Sequence, residues 1–521
     1  MTSRVPIVAL LLGIMALLML VPAIQAASDS EWKNARGFFY PALFGLFMSG
    51  SIGVLLRPMR QRDTPQHELT LLLLVWLILP VYAALPVYLL APGYGVVGAW
   101  FEMVAALTTT GGSIFSKASD VPAAIQLWRG LMGWFGGLLT LMAAYVVLAP
   151  RRLGGYEILA AADGMSETRA VDLRTSGAGF QSRVERALRT ILPIYVGLTF
   201  VLAVGFSALG KPGLVAAVHA MSIVSTSGIS PVDGGLAGLG SFWVEFLALG
   251  AMVLAASRLL YASASARGRQ AEWRFDPEIR LLFVLCALAT GLLFLRHWIG
   301  VLTIDAAVET TVLDALKAAW GALFTTVSFA TTTGFESFAW QAARDWSGLS
   351  NPSLVLLALC TIGGGAATTA GGIKLIRAYA LLRHGVRELE RIASPHSVAS
   401  GARGTRGLRR EGAIIAWSFM MLFFLALLVT ILALAWTGLD FTDALIAATA
   451  AISNTGPAFQ MVADRPQGFA FLDAVQHSVL AVAMILGRIE TLAVIALFNP
   501  DRWQRPVDGK RTGNTSREDP I

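Results

Sequence analysis

The chain has 521 residues, of which 55% are hydrophobic and only 14% charged. A soluble domain carries about a quarter charged residues, and a soluble chain of this length would divide into domains joined by polar linkers. No such linker pattern is present, so a water-soluble enzyme, a disordered protein and a disulfide scaffold are excluded and a polytopic membrane protein remains. The net charge of +7 does not point to nucleic acid, because the basic residues sit in short loops between apolar runs, which is a topology signal. Cys286 and Cys360 lie inside apolar runs and read as small buried hydrophobes rather than a disulfide or metal site.

A spanning helix needs about 20 mostly apolar residues. Ten runs qualify: 5–26, 37–56, 69–91, 127–149, 190–210, 241–263, 279–298, 352–373, 412–437 and 471–498. The first also has the layout of a signal peptide, with Arg4 and Ala-Ile-Gln-Ala at 24–27. Its 17-residue apolar core from Pro6 to Pro22 is long for one, so a retained helix is expected. With the N-terminus inside, the inner segments hold 30 Lys and Arg and the outer segments eight; Arg129 and Arg488 fall within apolar runs. That bias predicts both termini to be cytoplasmic.

Four further runs, 96–107, 213–224, 313–328 and 441–452, are too short to span and read as re-entrant segments. All fall in loops that the charge count places outside. Each leads at once into Thr or Ser and a glycine: Thr108-Thr109-Thr110-Gly111, Ser225-Thr226-Ser227-Gly228, Thr331-Thr332-Thr333-Gly334 and Ser453-Asn454-Thr455-Gly456. The glycines are 117, 106 and 122 residues apart, and such a period governs the fold reading. The last eight spans become four copies of helix, half-helix, Thr/Ser-Gly, helix. The expected fold is an all-α polytopic membrane protein with about ten transmembrane helices and four pseudo-repeated helix–pore loop–helix units around one central pore. The expected divisions are an N-terminal helix pair (1–66), repeats at 67–150, 151–264, 265–385 and 412–498, a basic cytoplasmic linker (386–411) and a cytoplasmic tail (499–521).

Non-helical backbone at membrane depth must be buried in protein or line a water-filled path. A half-helix directs its partly negative carboxyl end into the membrane, and an extended Thr-Gly segment after it aims carbonyls at a common axis. Four such segments form an oxygen cage that replaces the water of an alkali cation.

These segments resemble the TrkH/KtrB/HKT superfamily of potassium transporters, and the bacterial TrkH branch most. Phe101-Glu102 with Leu-Thr-Thr-Thr-Gly at 107–111, Arg129 with Trp134-Phe135-Gly136-Gly137, Asn454-Thr455-Gly456-Pro457 and Gly487-Arg488-Ile489-Glu490 carry the resemblance. The second and third filter segments vary the wording but keep the glycine. The resemblance implies a potassium pathway in one chain with Thr109, Thr110, Gly111, Thr226, Ser227, Gly228, Thr332, Thr333, Gly334, Asn454, Thr455 and Gly456 as filter and potassium-binding residues. It implies a channel-like or symporter protein of the inner membrane, a homodimer, a cytoplasmic TrkA/KtrA-type nucleotide-binding regulator ring, and potassium as substrate with no cofactor bound by this chain. In related plant transporters Ser at the first filter glycine goes with sodium transport, so the four glycines favour potassium; a sodium-permeable or poorly selective member of the same fold is the alternative. Gly363-Gly364-Gly365 and Gly371-Gly372 do not form a nucleotide loop, since no Gly-Lys-Ser/Thr follows.

Residues 363–372 place five glycines in ten residues inside the eighth run. Each weakens a helix by about 1 kcal/mol relative to Ala. The family has a gate loop here, implying a gate that includes Gly363, Gly364, Gly365, Thr368, Thr369, Gly371 and Gly372. Arg488, a charge within the last run, is expected to face the conduction path or to pair locally with Glu490. Glu102 and Asp443 are expected to make structural hydrogen bonds; Asp233 and Glu336 either attract cations at the outer mouth or sit on a solvated face. The basic segment 377–411, with Arg383, Arg387, Arg391, Arg403, Arg406, Arg409 and Arg410, is either plain positive-inside charge attracting anionic lipid or a docking surface for the regulator. A polytopic membrane enzyme would need clustered His, Asp and Glu, whereas the six histidines (67, 219, 297, 384, 396, 477) are scattered, so no catalytic activity is expected.

Overall fold

The computed structural model describes residues 7–55, 65–149, 155, 180–258, 260, 276–301, 312–349, 351–393, 410–463, 465 and 467–489. The described residues form helices and connecting turns, with no strand among them. In chain order the helices are α1 (Ile7–Ser28), α2 (Trp32–Leu55), α3 (Pro65–Leu90), α4 (Gly95–Leu107), α5 (Ala123–Ala143, continued by a π turn to Leu148), α6 (Phe180–Ala208), α7 (Gly213–Val224), α8 (Phe242–Ala255), α9 (Pro277–Val301) and α10 (Val312–Ala330). They continue with α11 (Trp340–Ser347), α12 (Ser353–Ile362), α13 (Leu375–Ala393), α14 (Arg410–Trp436), α15 (Phe441–Ile452), α16 (Pro457–Val462) and α17 (Ala474–Ile489).

Among the described residues eight helices are long and apolar enough to cross a membrane: α1, α2, α3, α5, α6, α9, α10 and α14. Seven of them correspond to runs read as spans. The remaining three runs carry shorter helices, α8 (14 residues), α12 (10 residues) and α17 (16 residues). Helix α12 stops at Ile362 because Gly363 takes a φ of 74° and its N–H caps Leu359. Residues 490–498 of the tenth run lie outside the described residues. Helix α10 is 19 residues long, longer than the apolar run 313–328 that announced it, because Val312 at its start and Phe329 and Ala330 at its end are also helical.

The packing order explains why four half-helices end together. Helix α1 pairs with α2, and α1 also rests on α5. Helices α4, α7, α10 and α15 each lie against the helix before and the helix after them in their own repeat. Each also touches the closing helix of the preceding repeat: α7 touches α5, α10 touches α8, α15 touches α12 and α4 touches α17. The last contact joins the fourth repeat to the first and closes the ring. Such closure follows from a repeat that cannot bury its own half-helix alone. The half-helices are deeply buried along their second halves, as in Phe101–Leu107 and Ala447–Ile452, whereas α2, α6 and α14 expose large apolar side chains such as Phe47, Phe200 and Leu432. In a membrane protein that outer face meets lipid.

Small residues let the closing helices approach the half-helix ends. A Cβ on Gly136 of α5 would overlap the Leu107 carbonyl, and one on Gly487 of α17 would overlap the Ile452 carbonyl. Both carbonyls belong to the last helical residue of their half-helix, so the first and fourth repeats use the same close approach.

Candidate functional site

All four half-helices end in the same hydrogen-bonded turn. In the first, Thr109 N–H donates to Ala106 and Thr110 N–H to Ala105; in the second, Thr226 donates to Ile223 and Ser227 to Ser222. In the third, Thr332 donates to Phe329 and Thr333 to Ser328; in the fourth, Asn454 donates to Ala451 and Thr455 to Ala450. This pair of bonds is a Schellman C-cap, whose pivot residue is left-handed and usually glycine. Here the pivots are Thr109 (φ 54°), Thr226 (52°), Thr332 (58°) and Asn454 (53°). A β-branched residue in that region is strained, by about 1–3 kcal/mol.

The strained side chains have uses that glycine lacks. Thr332 Oγ1 accepts from Gly371 N–H at 2.8 Å, and the Thr226 hydroxyl meets that of Thr369 at 3.1 Å. Asn454 Nδ2 donates to Thr110 Oγ1 and to the Met484 carbonyl, both at 3.0 Å. Thr109 Oγ1 has no hydrogen-bond partner among the described residues. Three pivots thus tie the turns to the elements beside and beneath them.

The glycines that follow meet in cyclic order. A Cβ on Gly111 would strike the Ser227 carbonyl, and one on Gly228 would strike the Thr333 carbonyl and Pro457. One on Gly334 would press on Pro457 and Thr455, and one on Gly456 on Thr110 and Gly112. Gly456 N–H also donates to the Thr110 carbonyl at 2.6 Å. The first strand therefore touches the second, the second the third, the third the fourth, and the fourth the first. Three of the glycines are left-handed, with φ of 74° at Gly111, 66° at Gly228 and 80° at Gly334. The fourth differs: Gly456 has φ −56° and caps α16, whose first residue is Pro457. Proline fixes its own φ near the helical value and lacks an N–H, so this strand turns into a helix where the other three run on.

Above the glycines lies an open vestibule of about 800 Å³ that all four line, together with Lys117, Asp233, Glu336, Arg344 and Gln460. Asp233 Oδ1 accepts from Ala118 N–H at 2.6 Å and Ser119 N–H at 3.3 Å, joining the outer loops of the first two repeats. Hydrogen bonds from Ser119 and Ala118, with Lys117 nearby, hold its carboxyl below the usual carboxylate range. Asp233 is therefore a clip between loops as well as a vestibule charge. Glu102 ion-pairs with Arg129 and accepts from Ile114 N–H at 2.7 Å; Asp443 pairs with Arg465 at 2.9 Å. Glu102 and Asp443 are thus both engaged in structural bonds.

Below the glycines, residues 363–374 form a buried non-helical loop between α12 and α13. It is held from several sides. Ala366 N–H donates to Glu278 Oε1 at 2.9 Å, Gly365 N–H to the Ala256 carbonyl at 3.2 Å, and Thr368 Oγ1 to the Gly365 carbonyl at 2.7 Å. Lys374 Nζ bonds the Ala370 carbonyl, and a Cβ on Gly371 would overlap the Ser453 carbonyl at the end of the fourth half-helix. Arg488 Nη1 donates to the Thr369 carbonyl at 2.7 Å, while its Nε and Nη2 find no partner among the described residues. Arg488, Gly371, Gly372 and Thr368 border a cavity of about 30 Å³ that Leu72 and Trp76 of α3 and Thr140 of α5 also line. Glu490, the local partner considered from sequence, lies outside the described residues, as do Arg403, Arg406 and Arg409. Cys286 and Cys360 are free and buried, and among the described residues no three His, Cys, Asp or Glu side chains gather as a metal site would require.

The sequence reading missed the pivot geometry, the Glu278 contact to the loop and the partner of Arg129. The repeated position before each Thr/Ser-Gly pair held a signal for the first, since Thr and Asn recur there.

Comparison with known proteins places this architecture. The family model described as TrkH, cation transport protein, matches residues 45–504. The Trk system potassium uptake protein TrkH of Vibrio parahaemolyticus is 29% identical over 521 residues, covering 96% of this chain and 99% of its own. The protein of the same name from Escherichia coli is 28% identical over 415 residues, 78% of this chain and 80% of its own. The crystal structure of the potassium transporter TrkH from Vibrio parahaemolyticus aligns with a TM-score of 0.79 at 27% identity, over 96% of this chain and 98% of that one. With apolar spanning helices, a closed ring of four half-helices and a family match across most of its length, the chain is an integral membrane protein of the TrkH family of cation transport proteins.

Proposed function

We propose that this chain takes up potassium across the bacterial inner membrane through a filter made by Thr109, Thr110, Gly111, Thr226, Ser227, Gly228, Thr332, Thr333, Gly334, Asn454, Thr455 and Gly456. The observation that carries the proposal is the cyclic contact of four strands, each set by the same Schellman turn at a half-helix end. Carbonyls and hydroxyls there are fixed by the fold, and the half-helix dipoles point negative ends toward the same place, which favours a desolvated cation. Two of the named relatives are potassium uptake proteins. Because the fourth strand turns into α16, fewer carbonyl rings match, and preference over sodium is less sharp than in a filter with four Thr-Val-Gly-Tyr-Gly loops.

The loop containing Gly363, Gly364, Gly365, Thr368, Thr369, Gly371 and Gly372, with Arg488, is the gate of this proposal. The Thr226 hydroxyl bond to Thr369 and the Gly371 N–H bond to Thr332 Oγ1 offer a route for loop motion to reach the filter. The repeats bounded at 67–150, 151–264, 265–385 and 412–498 are the units of the pore. The charge bias supports cytoplasmic termini in this proposal. Assembly as a homodimer with a TrkA/KtrA-type cytoplasmic ring completes the reading, with α13, which carries Arg383, Arg387 and Arg391, as the docking or lipid-facing element.

The test is isotope uptake into liposomes holding the purified chain, with potassium and sodium in competition. Potassium should enter faster; equal rates would assign the chain to the sodium-permeable alternative.

A further inference from the structure

The position nine residues before each filter glycine is occupied by Glu102, His219, Thr325 and Ala447. All four sit in the half-helices, one turn or more below the strand that follows. In three repeats this side chain reaches across to the strand after the glycine. Glu102 Oε2 accepts from Ile114 N–H at 2.7 Å, three residues beyond Gly111. Thr325 Oγ1 accepts from Ser337 N–H at 3.3 Å, three residues beyond Gly334. His219 Nε2 meets Ser230 Oγ at 3.0 Å, two residues beyond Gly228. The fourth repeat has Ala447, and its strand is already held by α16.

We propose that this position forms a set of braces that fix the ascending strands behind the filter, and that His219 and Thr325 are positioning residues for cation discrimination. This rests on the filter reading above. The braces differ in chemistry, so the filter walls differ in stiffness: a carboxylate paired to Arg129 in the first, an imidazole in the second, a hydroxyl in the third and an alanine in the fourth. His219 has a second task. Its Nδ1 lies 2.8 Å from the Val215 carbonyl, which sets Nδ1 as the protonated nitrogen and leaves Nε2 to accept from the Ser230 hydroxyl. Ser230 Oγ in turn accepts from Val232 N–H at 3.0 Å. The same ring packs against Phe335, the residue after Gly334, with centroids 5.7 Å apart. One buried side chain therefore steadies the second strand by a hydrogen bond and the third by ring contact. A carbonyl cage separates cations by how far its walls yield, so loosening these strands should alter discrimination more than throughput.

The experiment uses the full chain in liposomes and reads the potassium-to-sodium flux ratio beside the potassium flux itself. Ser230→Ala and Thr325→Val each remove one brace at nearly constant volume, and His219→Leu removes the imidazole. His219→Gln restores a polar group near the Nε2 position. The ratio should fall by about fivefold in Ser230→Ala, Thr325→Val and His219→Leu, as loss of one hydrogen bond implies. Potassium flux should stay within about twofold, and His219→Gln should recover most of the ratio. Ser230→Ala should cost less in the His219→Leu background than in the wild type, since the Nε2–Oγ bond that the two share is already gone and only the Val232 N–H bond to Ser230 remains to be lost. Ratios unchanged in Ser230→Ala and Thr325→Val, which are the mildest changes, would overturn the proposal even if His219→Leu failed to fold. The wild-type ratio tests the potassium reading separately: whatever its value, its change on removing a brace is what tests the brace.

Discussion

Placing a side chain on Gly111 perturbs the filter in two ways that can be separated. The residue holds φ 74°, and a non-glycine residue there costs about 1–2 kcal/mol. Its Cβ would also overlap the Ser227 carbonyl oxygen of the neighbouring strand, and moving packed backbone aside adds about 1–3 kcal/mol. The total of about 2–5 kcal/mol is a large part of ordinary stability but below most of its range, so Gly111→Ser should fold with one displaced carbonyl. A loss of about 1 kcal/mol in discrimination is about fivefold, and that fall is expected in the potassium-to-sodium uptake ratio. Gly210→Ser supplies the control. Gly210 has φ 79° and open space around its would-be Cβ, so it carries the backbone strain without the collision and should keep the wild-type ratio. A folded Gly111→Ser protein with an unaltered ratio would refute the reasoning.

Three other outcomes follow from the same geometry. Arg488→Ala removes a cation whose Nε and Nη2 have no partner among the described residues and frees the Thr369 carbonyl; potassium flux should rise about tenfold for each 1.4 kcal/mol of barrier removed, and unchanged flux in folded protein would refute a barrier role. Gly371→Ala pushes the loop off the Ser453 carbonyl, so open probability in single-channel records should change while ion preference does not; altered preference with unaltered flux would assign the loop to the filter. Asp233 has a lowered carboxyl pKa because of Ser119, Ala118 and Lys117, so its clip is fully formed above the usual value near 4 and is lost only as pH falls through the lower folded value. Exchange protection of the Ala118 and Ser119 amides, corrected for intrinsic rate, should persist at neutral pH, fade in stronger acid, and vanish at all pH in Asp233→Ala; protection indifferent to that change would remove the clip.

The repeat was legible because apolar run length and glycine carry strong local signals. Short runs before Gly111, Gly228, Gly334 and Gly456 announced half-helices, and Pro457, which lacks an N–H and fixes its own φ, marks in the sequence where the fourth strand leaves the pattern of the others. What lay beyond reach was set by tertiary contact. Left-handed Thr109, Thr226 and Thr332 contradict backbone preference, and only the surrounding bonds hold them there. Arg129 reads as a costly charge until Glu102, 27 positions earlier, is seen beside it. The extra residues of α10, Phe329 and Ala330, were hidden because they run without a break into Thr331-Thr332-Thr333-Gly334, and α8 ends at Ala255 without a proline or glycine to mark the stop.

The most direct measurement is the position of a heavy potassium mimic. Crystals of the chain grown with rubidium should show anomalous density on the axis between the strands ending in Gly111, Gly228, Gly334 and Gly456, at the level of the Thr110, Ser227, Thr333 and Thr455 carbonyls. Density confined to another part of the molecule, with the four strands empty at saturating rubidium, would contradict the account.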